Sequence, residues 1–570
     1  MADSWLKLIV FLTTVLLIAY PLGLYIAEVL EGRTKFLGWL EKPIYFLIGT
    51  APEKGMDWKR YTFAVLLFSL VNVLVLYALM MLQTWLFGAE SVALPFRPDE
   101  AFNAAISFVT NTNWQSYSPE LSASAWVQML GFTVQNFVSA AVGVGVLAAL
   151  MRGLRNRESA NLGNFFVDVT RVALYVLVPL SLLLAVFLVS QGVVQTMTTS
   201  VTAITLEGEM VQIPLGPVAS QVAIKQIGTN GGGYFAANSA HPFENPTALS
   251  GFFELVAILL IPAALCFTFG KMVRDMRQGN LLLIAMTLIF VGATVITMLQ
   301  EAQPNPMFAE FGVDQARTAT LVGGNMEGKE LRFGPASSAI WASATTAASS
   351  GSVNSMHDSY FPMSGLMLFL LMQTGEAIFG GVGSGLYLMV AFAMVGVFLG
   401  GLMIGRTPEY LGKKIEAFEM KMVGIIILVP GFLILLGSGI ALMFGNAEQS
   451  MTNPGPHGYS QLLYAMTSQG TNNGSAFAGF LANTPFLNVL GGLLIWFGRF
   501  LIIVCILAIA GSVARKKVTP NSSATLPTHT PLFLILLFSV ILLNALTFLP
   551  ALALGPVAEQ FQLFPPGGVR

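Results

Sequence analysis

Four short stretches rich in Thr, Asn, Ser and Gly recur along the chain. They read Thr110-Asn111-Thr112-Asn113, followed by Trp114 and Gln115, then Thr229-Asn230-Gly231-Gly232-Gly233, Ser350-Gly351-Ser352-Val353-Asn354 and Thr471-Asn472-Asn473-Gly474-Ser475. Their first residues are 119, 121 and 121 positions apart. Small polar residues and glycines let the backbone turn its carbonyls toward a common axis. Four such turns would make a carbonyl-lined cage for a dehydrated monovalent cation. None of the four contains Asp or Glu, which argues against a divalent cation, since that normally takes carboxylates. Asp99, Glu100, Glu244 and Asp358 lie close enough in sequence to draw cations to the mouth. Any one stretch alone would read as an ordinary turn tying down a loop. Equal spacing of all four points to a shared site.

The elements that must position these stretches are legible. Each follows a moderately apolar segment, at 99–109, 217–227, 335–348 and 459–469. These are too short to cross a bilayer and long enough for a half-membrane helix. Longer apolar segments run near 6–30, 61–87, 124–151, 168–191, 250–270, 280–299, 361–405, 422–445, 487–513 and 531–551. The seventh is too long for one span, and Gly380, Gly381, Gly383 and Gly385 mark a break. The unit is span, re-entrant helix, polar loop, span. Its two full spans keep every unit in the same orientation, which gives parallel pseudo-fourfold symmetry, in contrast to inverted repeats. Non-helical backbone at that depth is tolerated only inside protein or along a wet cavity. The half-helices would aim their negative dipole ends at the axis.

Composition agrees. The 570 residues are 55% hydrophobic and 10% charged, with net charge -1. Soluble domains carry about 25% charge, so a soluble enzyme, a nucleic-acid binder and a disordered scaffold are excluded. The mean hydropathy is +0.72. Cys266 and Cys505 sit in apolar runs and read as core residues. The four histidines are not at metal-ligand spacing. The first apolar run is long for a signal peptide and lacks a cleavage site, so it reads as a retained span.

Basic residues fall unevenly between alternate loops. Arg33 to Arg60, Arg152 to Arg171, Lys271 to Arg277, Arg406 to Lys421 and Arg515 to Lys517 hold twenty; the other side holds seven, Arg570 among them. The basic loops are expected in the cytoplasm and both termini outside. The expected fold is therefore an all-α polytopic membrane protein of about ten helices. Its parts are an extra N-terminal span and loop (1–60), four units (61–157, 158–278, 279–414, 415–517) and a C-terminal span (518–570).

The run from Gly228 to Tyr234, continuing through Asn238-Ser239-Ala240-His241-Pro242-Phe243-Glu244-Asn245-Pro246, resembles the potassium-binding A subunit family of the bacterial Kdp potassium-transporting ATPases. So do Ser349 to Ser355 and Gly470 to Phe477. The resemblance covers essentially the whole chain. It implies the potassium-transporter superfamily fold of four span–pore–span repeats and a carbonyl filter for potassium as the transported ion. It also implies a partner P-type ATPase catalytic subunit, two small accessory subunits, membrane lipid around the chain, and a bacterial inner-membrane location. The first stretch lacks glycine, as family members do. That suggests an asymmetric cage in which Asn111 or Thr112 presents carbonyls, with Gln115 beside it.

Arg499 sits inside an apolar run, where an arginine costs several kcal/mol. It reads either as a functional charge or as a structural residue paired with a carbonyl or with Glu376. The resemblance makes it a barrier below the filter. It also makes Gln373 to Gly385 an invaginated gate loop carrying Glu376, where composition alone would equally allow a kinked helix. Arg406 resembles a second family arginine on the cytoplasmic side; a snorkelling flank is the plainer reading.

No motif for ATP hydrolysis is present. Gly323 to Lys329 approaches a phosphate loop, but Glu330 stands where Ser or Thr is needed. There is no Asp-Lys-Thr-Gly. The chain is expected to select an ion without itself driving it by ATP. An autonomous potassium or sodium channel of the same fold, and a non-conducting membrane scaffold, are the rival readings.

Overall fold

The structure, a computed structural model, describes residues 2–88, 93–309, 311–318, 321–518 and 526–564. Arg570 and part of the C-terminal segment, both used above, lie outside these residues.

Among the described residues, ten helical segments are long and apolar enough to cross a membrane. They are Asp3–Leu30, Trp58–Met81, Val127–Arg155, Phe165–Ser190, Ala248–Val273, Met276–Phe308, Ser384–Met403, Ala417–Phe444, Pro485–Arg515 and Pro531–Leu563. Four shorter helices lie between spans at the expected places: Pro98–Val109, Val218–Ile227, Gly334–Ala347 and Gly455–Gly470. All four open on proline: Pro98 leads the first, Pro217 precedes the second, and Pro335 and Pro456 stand in the first turns of the other two. Proline suits a helix start because it lacks the amide that the first turn leaves unbonded.

The seventh apolar run breaks as expected. Pro362–Gln373 ends, a non-helical loop follows, and Ser384–Met403 resumes.

The core gathers on the helices nearest the centre. Val127–Arg155 and Ala248–Val273 are 83% buried over their apolar windows, against 28% for Asp3–Leu30 and 28% for Pro531–Leu563. Leu17, Phe63, Leu183 and Leu542 are exposed on outer helices, the side-chain type that faces lipid. Asp3–Leu30 packs along Ala248–Val273, where Gly23 allows its helix to touch the Ala264 carbonyl.

Some small elements escape the apolar pattern. An antiparallel hairpin pairs Ser200–Ile204 with Met210–Pro214, and a short helix covers Gly38–Ile48. A second two-residue hairpin pairs Glu409–Tyr410 with Lys413–Lys414. Lys413 Nζ donates to the carbonyls of Asn156 and Lys516 at 2.5 and 2.6 Å. That lysine joins three of the basic loops into one layer.

Candidate functional site

The polar stretches begin where the four short helices end. Each helix closes on a left-handed residue: Asn111 (φ 67°), Thr229 (φ 49°), Ser349 (φ 48°) and Asn472 (φ 58°). The next amide then bonds back five residues. Thr112 N donates to Ser107 O, Asn230 N to Lys225 O, Ser350 N to Thr345 O and Asn473 N to Ser468 O, at 2.9, 3.0, 3.0 and 2.8 Å. This helix-ending pattern normally takes glycine. Here it sets which residues are equivalent, and these are 118, 120 and 123 positions apart, not the 119, 121 and 121 of the first Thr and Ser. Ser349, which the spacing passed over, is equivalent to Asn111.

One step further on stand Asn113 (φ 55°), Gly231 (φ 90°), Gly351 and Gly474 (φ 93°). A Cβ on Gly231 would overlap the Gly351 backbone, one on Gly351 would press on the Gly474 backbone, and one on Gly474 would overlap the Thr112 carbonyl. Asn113 Nδ2 donates to Gly231 O at 3.1 Å and closes the ring. The first stretch therefore manages without glycine because asparagine tolerates the left-handed region.

Side chains extend the ring. Asn111 Nδ2 donates to the carbonyls of Gly228 and Thr229, each at 3.2 Å. Asn230 Nδ2 donates to Asn111 Oδ1 at 2.6 Å. Gly351 N donates to Asn230 O at 3.3 Å. Ser349 Oγ donates to Asn472 O at 2.9 Å, Asn473 Nδ2 to Thr345 O at 3.1 Å, and Asn472 Nδ2 to Thr112 Oγ1 at 3.0 Å. Gln115 holds Gly233 from both sides, accepting from its amide at 2.9 Å and donating to its carbonyl at 3.3 Å. Each carbonyl has two lone pairs, so one hydrogen bond leaves it able to face a cation.

Other predicted residues act within their own unit. The hydroxyls of Thr110 and Thr471 bond back to Ile106 O and Thr467 O, both at 2.8 Å. Trp341 Nε1 donates to Ser352 O at 3.0 Å, Thr345 Oγ1 bonds Ser350 O, and Asn354 Oδ1 accepts from Ser355 Oγ at 3.2 Å. An open cavity of about 880 Å³ lies over the ring, lined by Asn113, Gln115, Gly232, Gly351, Val353 and Gly474 among others.

The acids expected at its mouth are occupied. Asp99 pairs with Arg97 at 3.1 Å, Glu100 accepts from Asn483 at 2.9 Å, Glu244 pairs with Lys225 at 2.5 Å and Asp358 with His457 at 3.0 Å.

On the other side of the ring the broken seventh run folds inward. Its loop is buried and carries left-handed residues at Gly375, Glu376, Phe379, Gly380 and Gly383. It touches the second polar stretch and a half-helix or span beside each of the other three. Val382 N donates to Thr229 Oγ1 at 2.9 Å, and Gly380 N to Ala347 O at 2.8 Å. A Cβ on Gly383 would overlap the Gly143 carbonyl. Gly381 sits beside Ser384, whose hydroxyl donates to Glu376 Oε2 at 2.6 Å. Arg499 Nη1 lies 3.8 Å from the same oxygen. A void of about 10 Å³, water-sized, remains between Glu376, Arg499, Thr471 and Asn472. Arg406 is not part of this group. It follows Ser384–Met403 and lines a cavity of about 840 Å³ with Arg155, Arg157, Arg274 and His529.

The sequence also passed over side chains that support the ring from behind. Ser139, on the span Val127–Arg155, donates to Asn111 Oδ1 at 2.8 Å and accepts from Asn230 Nδ2 at 3.1 Å. His357 Nδ1 shares a proton with Tyr464 at 2.8 Å, and Tyr464 with Ser475 at 2.8 Å. Burial pushes the His357 imidazole down to about 3, so it is neutral there.

The sequence model for the potassium-transporting ATPase A subunit matches residues 9–561. Potassium-transporting ATPase potassium-binding subunits are similar over nearly the full length of both chains. That of Sorangium cellulosum is 53% identical, covering 99% of each chain. That of Methylococcus capsulatus is 53% identical, also covering 99% of each. That of Clostridium botulinum (strain Eklund 17B) is 51% identical, covering 97% of this chain and 98% of the relative. Among solved structures, the potassium transporter TrkH from Vibrio parahaemolyticus has the same fold, with TM-score 0.51 at 12% identity over 86% of this chain and 96% of that one. The fold, the ring of polar stretches and relatives alike from end to end lead to one assignment: this chain belongs to the potassium-transporting ATPase A subunit family.

Proposed function

We propose that this potassium transporter component selects extracellular K+ in the ring of four polar stretches. It then passes the ion to a partner P-type ATPase subunit for ATP-driven uptake. The carrying observation is the cyclic contact of Asn113, Gly231, Gly351 and Gly474 at the C-terminal ends of four half-helices. Carbonyls in such a ring replace the hydration shell of a monovalent cation. Helix C-termini add partial negative charge without adding carboxylates.

In this reading the four units stand in parallel pseudo-fourfold order, with the boundaries given by the sequence. Both termini face outward and the basic layer faces the cytoplasm of a bacterial inner membrane. The ion enters through the outer cavity and loses its water among Thr110–Asn113, Thr229–Gly232, Ser350–Asn354 and Thr471–Gly474. The loop with Gly380, Gly381 and Gly383, backed by Glu376 and Arg499, then stops it. A cationic guanidinium under a closed loop opposes direct passage. The ion leaves sideways toward the catalytic subunit, and two small subunits complete the complex. Arg406 stands on the cytoplasmic face, outside the gate.

The test is ATP hydrolysis by the complex purified through a tag on this chain, titrated with K+ and separately with Na+. Hydrolysis stimulated by K+, and weakened or made less selective by Gly231→Asp, is the expected result. A chain that copurifies with no ATPase yet passes K+ in liposomes would make it an autonomous channel. Ion preference unchanged by Gly231→Asp would make it a scaffold.

A further inference from the structure

Behind the second and third polar stretches lies a buried charged network that the transport path itself does not use. Lys225, on the half-helix Val218–Ile227, is 1% exposed, and its partner Glu244 is 0% exposed. Lys225 Nζ has three protons and three acceptors: Asn238 Oδ1 at 2.8 Å, Ser239 Oγ at 2.9 Å and Glu244 Oε2 at 2.5 Å. The other Glu244 oxygen accepts from Phe235 N at 2.9 Å. A second carboxylate, Glu254, is also fully buried. Its Oε2 accepts from Ser239 Oγ at 3.0 Å and from Gln226 Nε2 at 2.7 Å.

Two arms run from this network to the third stretch. Gln226 Nε2 reaches Ser352 Oγ at 2.9 Å, and Asn238 Nδ2 reaches the Gly351 carbonyl at 3.3 Å. A third contact touches the second stretch, because a Cβ on Gly233 would press on Glu244 Oε1 and Asn238 Cα. Buried charges are costly unless paired and bonded. Here the paired network also reaches the third stretch at the Gly351 carbonyl and the Ser352 hydroxyl, and packs against Gly233 of the second. Groups outside a cation's own ligands commonly orient those ligands and tune affinity.

We propose that Lys225, Glu244 and Glu254 are positioning residues, a brace that locks the second stretch against the third and thereby sets how closely the ring fits K+. This rests on the reading of the ring as the K+ site.

The test uses the intact complex and K+- and Rb+-stimulated ATP hydrolysis. Lys225→Met with Glu244→Gln removes both charges together, so neither is left buried alone. The expected result is a KM for K+ raised about 10–100-fold, a narrowed K+ over Rb+ preference, and kcat within about twofold. Glu254→Ala should do the same. Glu254→Gln, which keeps an acceptor oxygen, should stay near the parent. Should the double variant fail to assemble, Glu254→Ala against Glu254→Gln decides alone. An unchanged KM and preference in assembled variants would overturn the brace, as would kcat falling with KM unmoved. Gly231→Asp run in parallel separates the two readings. If it shifts KM while the brace variants do not, only the brace fails. If it too leaves KM and preference unmoved, the ring is not the K+ site and the brace falls with it.

Discussion

Arg499 lies 3.8 Å from Glu376, and both side chains are nearly sealed from solvent, at 6% and 7% exposure. The contact joins a continuous helix, Pro485–Arg515, to a non-helical loop. Removing one member of a buried pair costs about 3–5 kcal/mol, because the other charge is left uncompensated. Arg499→Gln should therefore lower the melting temperature more than Arg499→Gln combined with Glu376→Gln. Thermal melts of the single and double variants in one detergent decide it. Equal losses would mean that the two groups do not compensate each other.

Gly231 and Gly292 make a controlled comparison. Gly231 has φ 90° and its Cβ would overlap the Gly351 backbone, whereas a Cβ on Gly292 meets nothing within 4 Å. Gly231→Ala should abolish high-affinity K+ stimulation of the complex. Gly292→Ala sits in a helix interior and should be neutral or stabilising by about 0.5–1 kcal/mol. K+ titration of hydrolysis, together with a melt, reads both.

His457 makes a pH-dependent clamp. Burial pushes its imidazolium down, but hydrogen bonds to Asp358 and Glu559 outweigh that and raise it to about 10. The bonds are 3.0 and 2.6 Å long, and they tie the fourth half-helix to the short helix His357–Ser359 and to the helix Ala558–Leu563. With the folded value above the unfolded one near 6.5, the stabilisation is full below pH 6.5 and lost as pH rises through about 10. His457→Gln should cost about 1.5–3 kcal/mol near neutrality. The gap in melting temperature between parent and variant should close as pH is raised from 6.5 to 10.5. A constant gap would mean that the bonds do not depend on the proton.

The half-helices were legible because each is a short apolar segment, too short to span, just ahead of one of four polar stretches at near-equal spacing. The broken span was legible from its glycines. The ring's register was not, because the left-handed positions fall on Thr229 and Ser349, residue types that seldom take that conformation. Tertiary contacts hold them there. The brace was hidden for a different reason. Lys225 in a short helix looks like a solvated charge, and only the return of the chain at Asn238 to Glu244 shows that it is buried. The hairpin Ser200–Ile204 with Met210–Pro214 was hidden too, since its residues are largely exposed and leave no buried alternation to read.

Thr229 offers the sharpest test of the loop as a gate. Its hydroxyl accepts from Val382 N at 2.9 Å, so one residue of the ring also bonds the loop. Valine has the same shape and no acceptor. Thr229→Val would leave a buried amide unbonded, at a cost of about 1–3 kcal/mol. That shifts a two-state loop by roughly five- to 150-fold toward opening. The measurement is passive K+ flux through the complex in liposomes without ATP. Thr229→Val should raise it, and Thr229→Ser, which restores the acceptor, should not. Flux that stays at the parental level in Thr229→Val would show that the loop is held closed by other contacts. Flux raised equally in both would show that any change of side chain at this position leaks, so that the hydrogen bond to Val382 is not what holds the loop.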